Sequence, residues 1–443
     1  MFDNHYHEEI PAEVREVLSK ETKSTGKHRL KSCLLARNIT SFIPVSYLPR
    51  VLPKGYDATV EKACRLIVEM AFESAYGNQE ALDLPGNSHE LIHDYHVFRN
   101  MPQRAVGTCR LDFAVSGIPT EENPPKLLEI NCIDYAGTGW GPSSSLAMLE
   151  AIPGLEDIVS FRNAREGMAK NMAQLGKKML FLSAGDNTYL DYTNFAKSMK
   201  EAGFEVKHLC DDDFVAMNDE GLVRMSENGI DIKDGQGWSH HDFIYPRCFG
   251  TLGEIWDADD VIHAIIDRNV PIYDNLFALV LENKAAHGIF HEHAKTFMSE
   301  ADRQFAEKVI LPSVNLDRKT KNMLLKSPQG KVLKHSDGHM GETVYINDAI
   351  IHALPQIKRL KGWTIQDFVS LNTADIEPTY YGAQSRALVD LSVYVSYEFD
   401  SKKPAGKRLE TCSMSGAICR ASPWNYKVNL STGGLLVPVF FSK

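Results

Sequence analysis

The chain has 443 residues, 43% of them hydrophobic and 24% charged, with a formal net charge of −10. That length exceeds a single hydrophobic core and predicts two or three domains, while the ordinary composition excludes disorder for most of the chain. The acidic excess argues against a general nucleic-acid or anionic-membrane binder, although a few local Lys and Arg suffice for a phosphate ligand. The eight cysteines form no CxxC pair, and the acidic start MFDNHYHEEIPAEVREVL has no signal pattern. No apolar run approaches the ~18 residues of a spanning helix. The expectation is a cytoplasmic protein with reduced, packed thiols.

The first hundred residues read as helical, with TVEKACRLIVEMAFESAY at helical spacing and a Pro/Gly break after it. GTCRLDFAVSG alternates, with Leu111 and Phe113 on one face and Arg110 and Asp112 on the other. A Pro/Asn/Glu-rich loop returns the chain to KLLEIN, and the pair predicts a β-hairpin with a long connection. Residues i and i+2 of a strand share a face, so Glu129 and Asn131 should aim two oxygens into one space. After more helix to about residue 175, residues 177–210 read as strand, loop, helix, strand, a βαβ unit of parallel sheet. DFIYPRCFG and VPIYDN predict further strands of that unit, which lacks a GxGxxG fingerprint. The run Asp211–Asp213 reads as a solvated loop.

The third region opens on a helix, ENKAAHGIFHEHA, and continues with KVLKHSDGHMGETVYI as strand, glycine loop, strand. Lys334 ends an apolar strand before Gly338 and Gly341, a pattern that suits polyphosphate but equally an ordinary hairpin with an exposed lysine. GWTIQDFV is another strand, RALVDLSVYVSYEF should pair with GAICRASP across a polar insertion, and the chain closes on YKVNLSTGGLLVPVFF. Arg420 stands at a strand end, where it serves a phosphate or carboxylate, or solvent. Asp112, Glu129 and Asn131 offer hard oxygens of the kind Mg²⁺ takes, and Arg110 beside them suits charge developing on a phosphoryl group. A salt-bridged surface hairpin would show the same residues. His89, His93 and His96, and His287 with His291, have helical spacing without HExxH. Cys132 has no identifiable histidine partner, so both signals read as packing.

A lysine on a strand, a glycine loop, QDFV, then R…N…GG, with D…ExN elsewhere, resembles the ATP-grasp superfamily. In the usual order the N-x-x-x-G-G segment precedes the strands bearing D and ExN, whereas here VNLSTGG stands at the far end of the chain, so the sequence resembles a circularly permuted member. CRLDFAVSG…PPKLLEIN is especially similar to glutathionylspermidine synthetases and their relatives. The resemblance implies an α/β (α+β) permuted ATP-grasp fold, with a helical N-terminal region plus the metal-ligand half over 1–175. A Rossmann-like pre-ATP-grasp domain over 176–277 and a nucleotide-binding and lid half over 278–443 would complete it. It implies ATP and Mg²⁺ as cofactors, with Asp112, Glu129 and Asn131 on the metal and Arg110 and Arg420 as catalytic arginines. Lys284 and Lys334 would contact the phosphates under Gly338 and Gly341, Gln366, Asp367, Phe368 and Val369 would edge the adenine, and Asn429 would complete the nucleotide site. His335 stands where relatives often have Pro, and the loop CIDYAGTGWG differs from theirs on the acceptor side.

The implied activity is ATP-dependent carboxylate–amine ligation through an acyl phosphate; the alternative is a non-catalytic ATP-binding scaffold of the same fold. Expected partners are small carboxylates and amines (amino acid, peptide or polyamine-like), with no nucleic acid and no membrane, and with a homo-oligomer left open.

Overall fold

The computed structural model describes residues 5–40, 42–76, 104–132, 137–183, 190–226, 228–247, 270–274, 281–336, 343–380, 382–423, 428, 430 and 433–443. Gly338, Gly341, Asn429 and the histidines at 89, 93 and 96 lie outside the described residues.

The β-branched and aromatic run Leu391–Asp400 pairs antiparallel with Leu409–Ser422, and this hairpin is the spine of an eight-stranded sheet. Residues Leu391–Phe399 are all buried, because apolar layers cover both faces. Val393, Val395, Tyr397 and Phe399 belong to the core that includes the helix Tyr56–Ala75, where Phe72 lies 4.7 Å from the Tyr397 ring. Tyr394 and Ile418 belong to a second core with the helices Trp140–Ala151 and Ala164–Met172. The sheet continues on one side through Arg104–Ala114 to Lys126–Asn131, both antiparallel. On the other side it runs through Ser385–Val389 and Asn372–Ile376 to His7–Glu8. Residues near 110–130 and near 390–420 are therefore neighbours in one sheet.

The expected βαβ unit is present: Lys178–Ser183 lies between Phe243–Arg247 and Glu205–Cys210, all parallel, with the helix Leu190–Glu201 in the crossover. Three features differ from expectation. VPIYDN contributes only isolated bridges at Ile272 and Tyr273 among the described residues. An unforeseen antiparallel sheet, Val223–Ser226, Gly229–Asp234 and Gly237–His241, follows the helix Asp211–Asp219. Asp211–Asp213 is not a solvated loop but the first turn of the helix Asp211–Asp219, where carboxylates complement the exposed N–H groups, and Asp211 is buried.

Residues 313–367 form a separate four-stranded sheet, ordered Ser313–Asn315, Trp363–Asp367, Lys331–His335, Val344–Ile346, over its own small core of Leu316, Leu324, Leu333, Ile350, Leu354 and Ile365. No helix among the described residues is long and apolar enough to cross a membrane.

The N-terminal strand is held by a buried ion pair. Arg50 forks onto Glu8 with Nε and a terminal nitrogen each at 2.6 Å, and its other nitrogen donates to the carbonyl of Asp390. Glu8 also accepts from the Asn372 amide at 2.7 Å. Removing one partner of a buried pair strands the other, so Arg50→Ala should lower the unfolding free energy by about 3–5 kcal/mol in urea titrations. A loss within that of an ordinary surface substitution would contradict the role assigned to the pair.

Candidate functional site

The hairpin places the polar residues as their alternation requires: Arg110 opposite Asn131 and Asp112 opposite Glu129, on one face. A register irregularity between Asp112 and Phe113 leaves Leu128 without a directly opposed partner. Such bulges re-aim backbone groups, and here the Leu128 carbonyl accepts from Lys334 Nζ at 3.0 Å.

Asp112 is the centre of the site. Arg110 forks onto its two oxygens at 2.8 and 3.0 Å, Arg420 reaches Oδ2 at 2.9 Å, and the Asn131 amide nitrogen reaches the same oxygen at 3.3 Å. Asn131 thus turns its nitrogen to Asp112 and keeps its amide oxygen for a different partner. Arg420 is held in turn by Asp390, whose carboxylate accepts from its backbone N–H and its Nε, each at 2.7 Å. Burial pushes the Asp112 carboxyl up, but the two guanidiniums outweigh it and hold the group well below the usual carboxylate range. Burial raises Asp390, with Arg420 opposing and Asp112 adding to the rise.

Glu129 is more open, its side chain 32% exposed, with Lys284 Nζ 4.0 Å away. Lys284 begins a short 3₁₀ turn capped by Asn283, which leads into the helix His287–Ala294. Lys334 is buried between the Leu128 carbonyl and Gln366 Oε1, the latter at 2.8 Å. Burial brings its ammonium down to about 8; Glu129 opposes that shift and Lys284 adds to it. His287 packs beside this pair and is brought down by burial to about 3, so it stays neutral. His291 Nε2 meets the Ile310 carbonyl at 3.1 Å.

Four expected cations, Arg110, Arg420, Lys284 and Lys334, therefore meet Asp112, Glu129, Asn131 and Gln366 in one region. Asp367 turns its side chain outward to Lys331, leaving only its backbone on the inner side. Phe368 N–H bonds the Gly330 carbonyl at 2.9 Å, and Val369 packs beside Ala114, Leu371, Leu388 and Val428. Cys132 is fully buried and burial pushes its thiol well up, as a packed thiol requires.

Gln366 is buried, and its Nε2 has no hydrogen-bond acceptor among the described residues. An orphaned buried donor beside a buried lysine suits a ligand with acceptor atoms. For a cation, no cluster of three or more His, Cys, Asp or Glu exists among the described residues. Glu129, the Asn131 oxygen and Asp112 are hard donors, enough for Mg²⁺ only where phosphates and water supply the remaining positions. Asp390 was not singled out from sequence. A lone Asp inside the apolar run ALVDLSVYV was the available signal, since a charge there must be paired.

No family model and no curated protein sequence matches the chain. Among solved structures, a glutathione synthetase-like effector from Globodera pallida, in its apo form, matches with a TM-score of 0.66 over 96% of this chain and 98% of that one, at 13% identity. A candidate gamma-glutamylcysteine synthetase from Methylobacillus flagellatus matches over 88% and 89% at 10% identity, with a TM-score of 0.43. The first likeness establishes a shared fold along nearly the whole chain, that of a glutathione synthetase-like protein.

Asp112 ionises more readily in the folded state, so it stabilises above its unfolded pKa near ~4, and that stability is lost as pH falls through its lower folded value. Arg420→Gln removes one of its cations. The variant's stability deficit, from denaturant curves, should persist from pH 7 to pH 4 and shrink only at lower pH, as the wild-type Asp112 protonates. A deficit already lost at pH 4 would contradict the electrostatic role.

Proposed function

We propose that the chain is an ATP-dependent carboxylate–amine ligase with a circularly permuted ATP-grasp arrangement, its units spanning about 1–175, 176–277 and 278–443. The observation that carries this reading is the meeting of Arg110, Asp112, Glu129, Lys284, Lys334 and Arg420 around one face, from segments up to 308 residues apart. A structural salt-bridge network has no need of the open Glu129 or the orphaned Gln366 amide nitrogen.

In this reading Lys284 and Lys334 neutralise the ATP phosphates, and Gln366 with the backbone of Asp367, Phe368 and Val369 edges the adenine. Glu129 and the Asn131 oxygen would hold Mg²⁺, joined by Asp112 where a phosphate draws Arg110 or Arg420 off its oxygens, and the ion would supply charge neutralisation there. Arg110 and Arg420 stabilise the charge of the transferring phosphoryl group as it passes to the acid substrate. Asp390 keeps Arg420 aimed at that place. The resulting acyl phosphate reacts with an amine, which attacks the carbonyl carbon and expels phosphate. Gly338, Gly341 and Asn429 carry over as the remaining nucleotide contacts. The acid and amine are small molecules such as amino acids, peptides or polyamines, and the compartment is the cytoplasm.

Trapping tests the reaction. With Mg·ATP, a panel of amino acids and short peptides, and hydroxylamine, the ligase should form a hydroxamate with stoichiometric ADP. Tight ATP binding without turnover across the panel would instead favour the scaffold. Glu129→Gln should abolish hydroxamate formation with an unchanged unfolding transition. Arg110→Ala should also abolish it but with lowered stability, because it strips Asp112 of a buried fork. Near-normal turnover in either would sink the assignment.

The Lys334 ammonium predicts a pH dependence, set by Glu129 attracting it and by Lys284 and neutral His287 facing it. Below pH 8 the lysine is charged and Mg·ATP affinity should be flat; above it, affinity should weaken by up to about tenfold per pH unit. Lys334→Arg stays charged and should flatten the titration. A wild-type profile already flat to pH 10 would contradict the lysine's role.

A further inference from the structure

The turn Gly137–Trp140 follows the ligand strand and opens the helix Trp140–Ala151. Gly139, at the N-cap position, has no side chain to satisfy the orphan N–H groups of that helix. The acceptor comes from another layer of the fold. Asp191, wholly buried in the first turn of the βαβ helix, accepts from Gly139 N–H at 2.6 Å and Trp140 N–H at 3.1 Å through Oδ1. Its Oδ2 accepts from Gly137 N–H at 3.1 Å.

The fit is close on every side. A Cβ on Gly139 would lie 2.4 Å from the Asp191 backbone oxygen, which cannot step aside as a side chain could. Gly137 has φ +98°, and its Cβ would meet the Tyr394 hydroxyl at 2.7 Å. Tyr394 stands opposite Arg110 in the sheet register, so the turn rests on the floor of the candidate site. Arg247, at the end of the parallel strand Phe243–Arg247, donates to the Thr138 hydroxyl at 2.9 Å and lies 3.8 Å from Asp191 Oδ2.

We infer that Asp191 is a positioning residue: its carboxylate caps the helix Trp140–Ala151 from the βαβ layer, and so fixes the acceptor-side wall of the site beside Arg110. This deepens the ligase reading and rests on it for the function of the wall, though the latch itself does not. One carboxylate taking three backbone donors, two on Oδ1 and one on Oδ2, fixes the turn in place. The wall then moves with the βαβ layer, while the phosphate contacts belong to other segments. Loss of the latch should disturb the acid substrate and spare the nucleotide.

The test is Asp191→Asn in the full-length protein. The amide keeps the size but turns an NH₂ group toward at least one N–H donor. Hydrogen exchange of the Gly137, Gly139 and Trp140 amides should accelerate by about tenfold or more, while amides of the Leu391–Asp400 strand stay protected. Mg·ATP affinity by calorimetry should change less than twofold. In the hydroxylamine assay kcat and the acid's KM should deteriorate, with the KM for ATP unchanged. Gly139→Ala, which pushes on the turn from the opposite side, should give the same pattern and serves if Asp191→Asn does not fold. Unchanged exchange at the three amides, or exchange rising equally in the core strands, would overturn the latch. Changed exchange with normal acid KM and kcat would overturn the positioning role. Absence of ligation in the wild type would refute the ligase reading and leave the exchange result to decide the latch.

Discussion

The structure turns on the buried alternation of charges Arg110, Asp112, Arg420 and Asp390. The pieces lie far apart in the chain, and each group is held by the next: Asp390 aims Arg420, Arg420 shares Asp112, and Asp112 receives Arg110. Asp390 is itself tied through its backbone carbonyl to Arg50 and thereby to Glu8 on the far edge strand. Buried ion pairs roughly break even against apolar packing, because desolvating each ion costs several kcal/mol. Stability alone therefore does not explain three buried charges and the largely covered Arg420 inside the main sheet. They make sense as preorganised charge, fixed before a charged ligand arrives and requiring no reorganisation when it does.

That fixed charge is asymmetric. Asp112 has both oxygens engaged by guanidiniums, so the more exposed carboxylate is Glu129, with Lys284 4.0 Å from it and Lys334 held between the Leu128 carbonyl and Gln366. The four-stranded sheet that holds Lys331–His335 and Trp363–Asp367 supplies Lys334 and Gln366, the main sheet supplies the arginines and carboxylates, and the βαβ layer supplies Asp191. In the ligase reading we propose, these would serve phosphate neutralisation, charge stabilisation and placement of a wall.

Much of this was legible in the chain. Alternation in GTCRLDF and KLLEIN fixed which side chains share a face, and the hairpin has the pairing that the alternation demands. The βαβ unit announced itself through an apolar run, a turn and an amphipathic helix. What was not legible is what depends on partners distant in sequence. Nothing local in HYHEE marks Glu8 for Arg50, and nothing in YLDY marks Asp191 for a turn 51 to 54 residues earlier. The bulge at Leu128 follows from sheet twist and register, which a run of alternating residues does not record. Asp211–Asp213 misled because a charge run reads as solvated, whereas the same carboxylates at a helix start complement its N–H groups.

A crystal structure with Mg²⁺ and a non-hydrolysable ATP analogue tests the ligase reading most directly, since it needs no knowledge of the acid or the amine. The phosphates should lie between Lys284 and Lys334, the metal on Glu129 and the Asn131 oxygen, and the adenine against Gln366 to Val369. Nucleotide bound instead at the strand ends of the parallel sheet Lys178–Ser183 and Phe243–Arg247, or no nucleotide at saturating concentration, would contradict it.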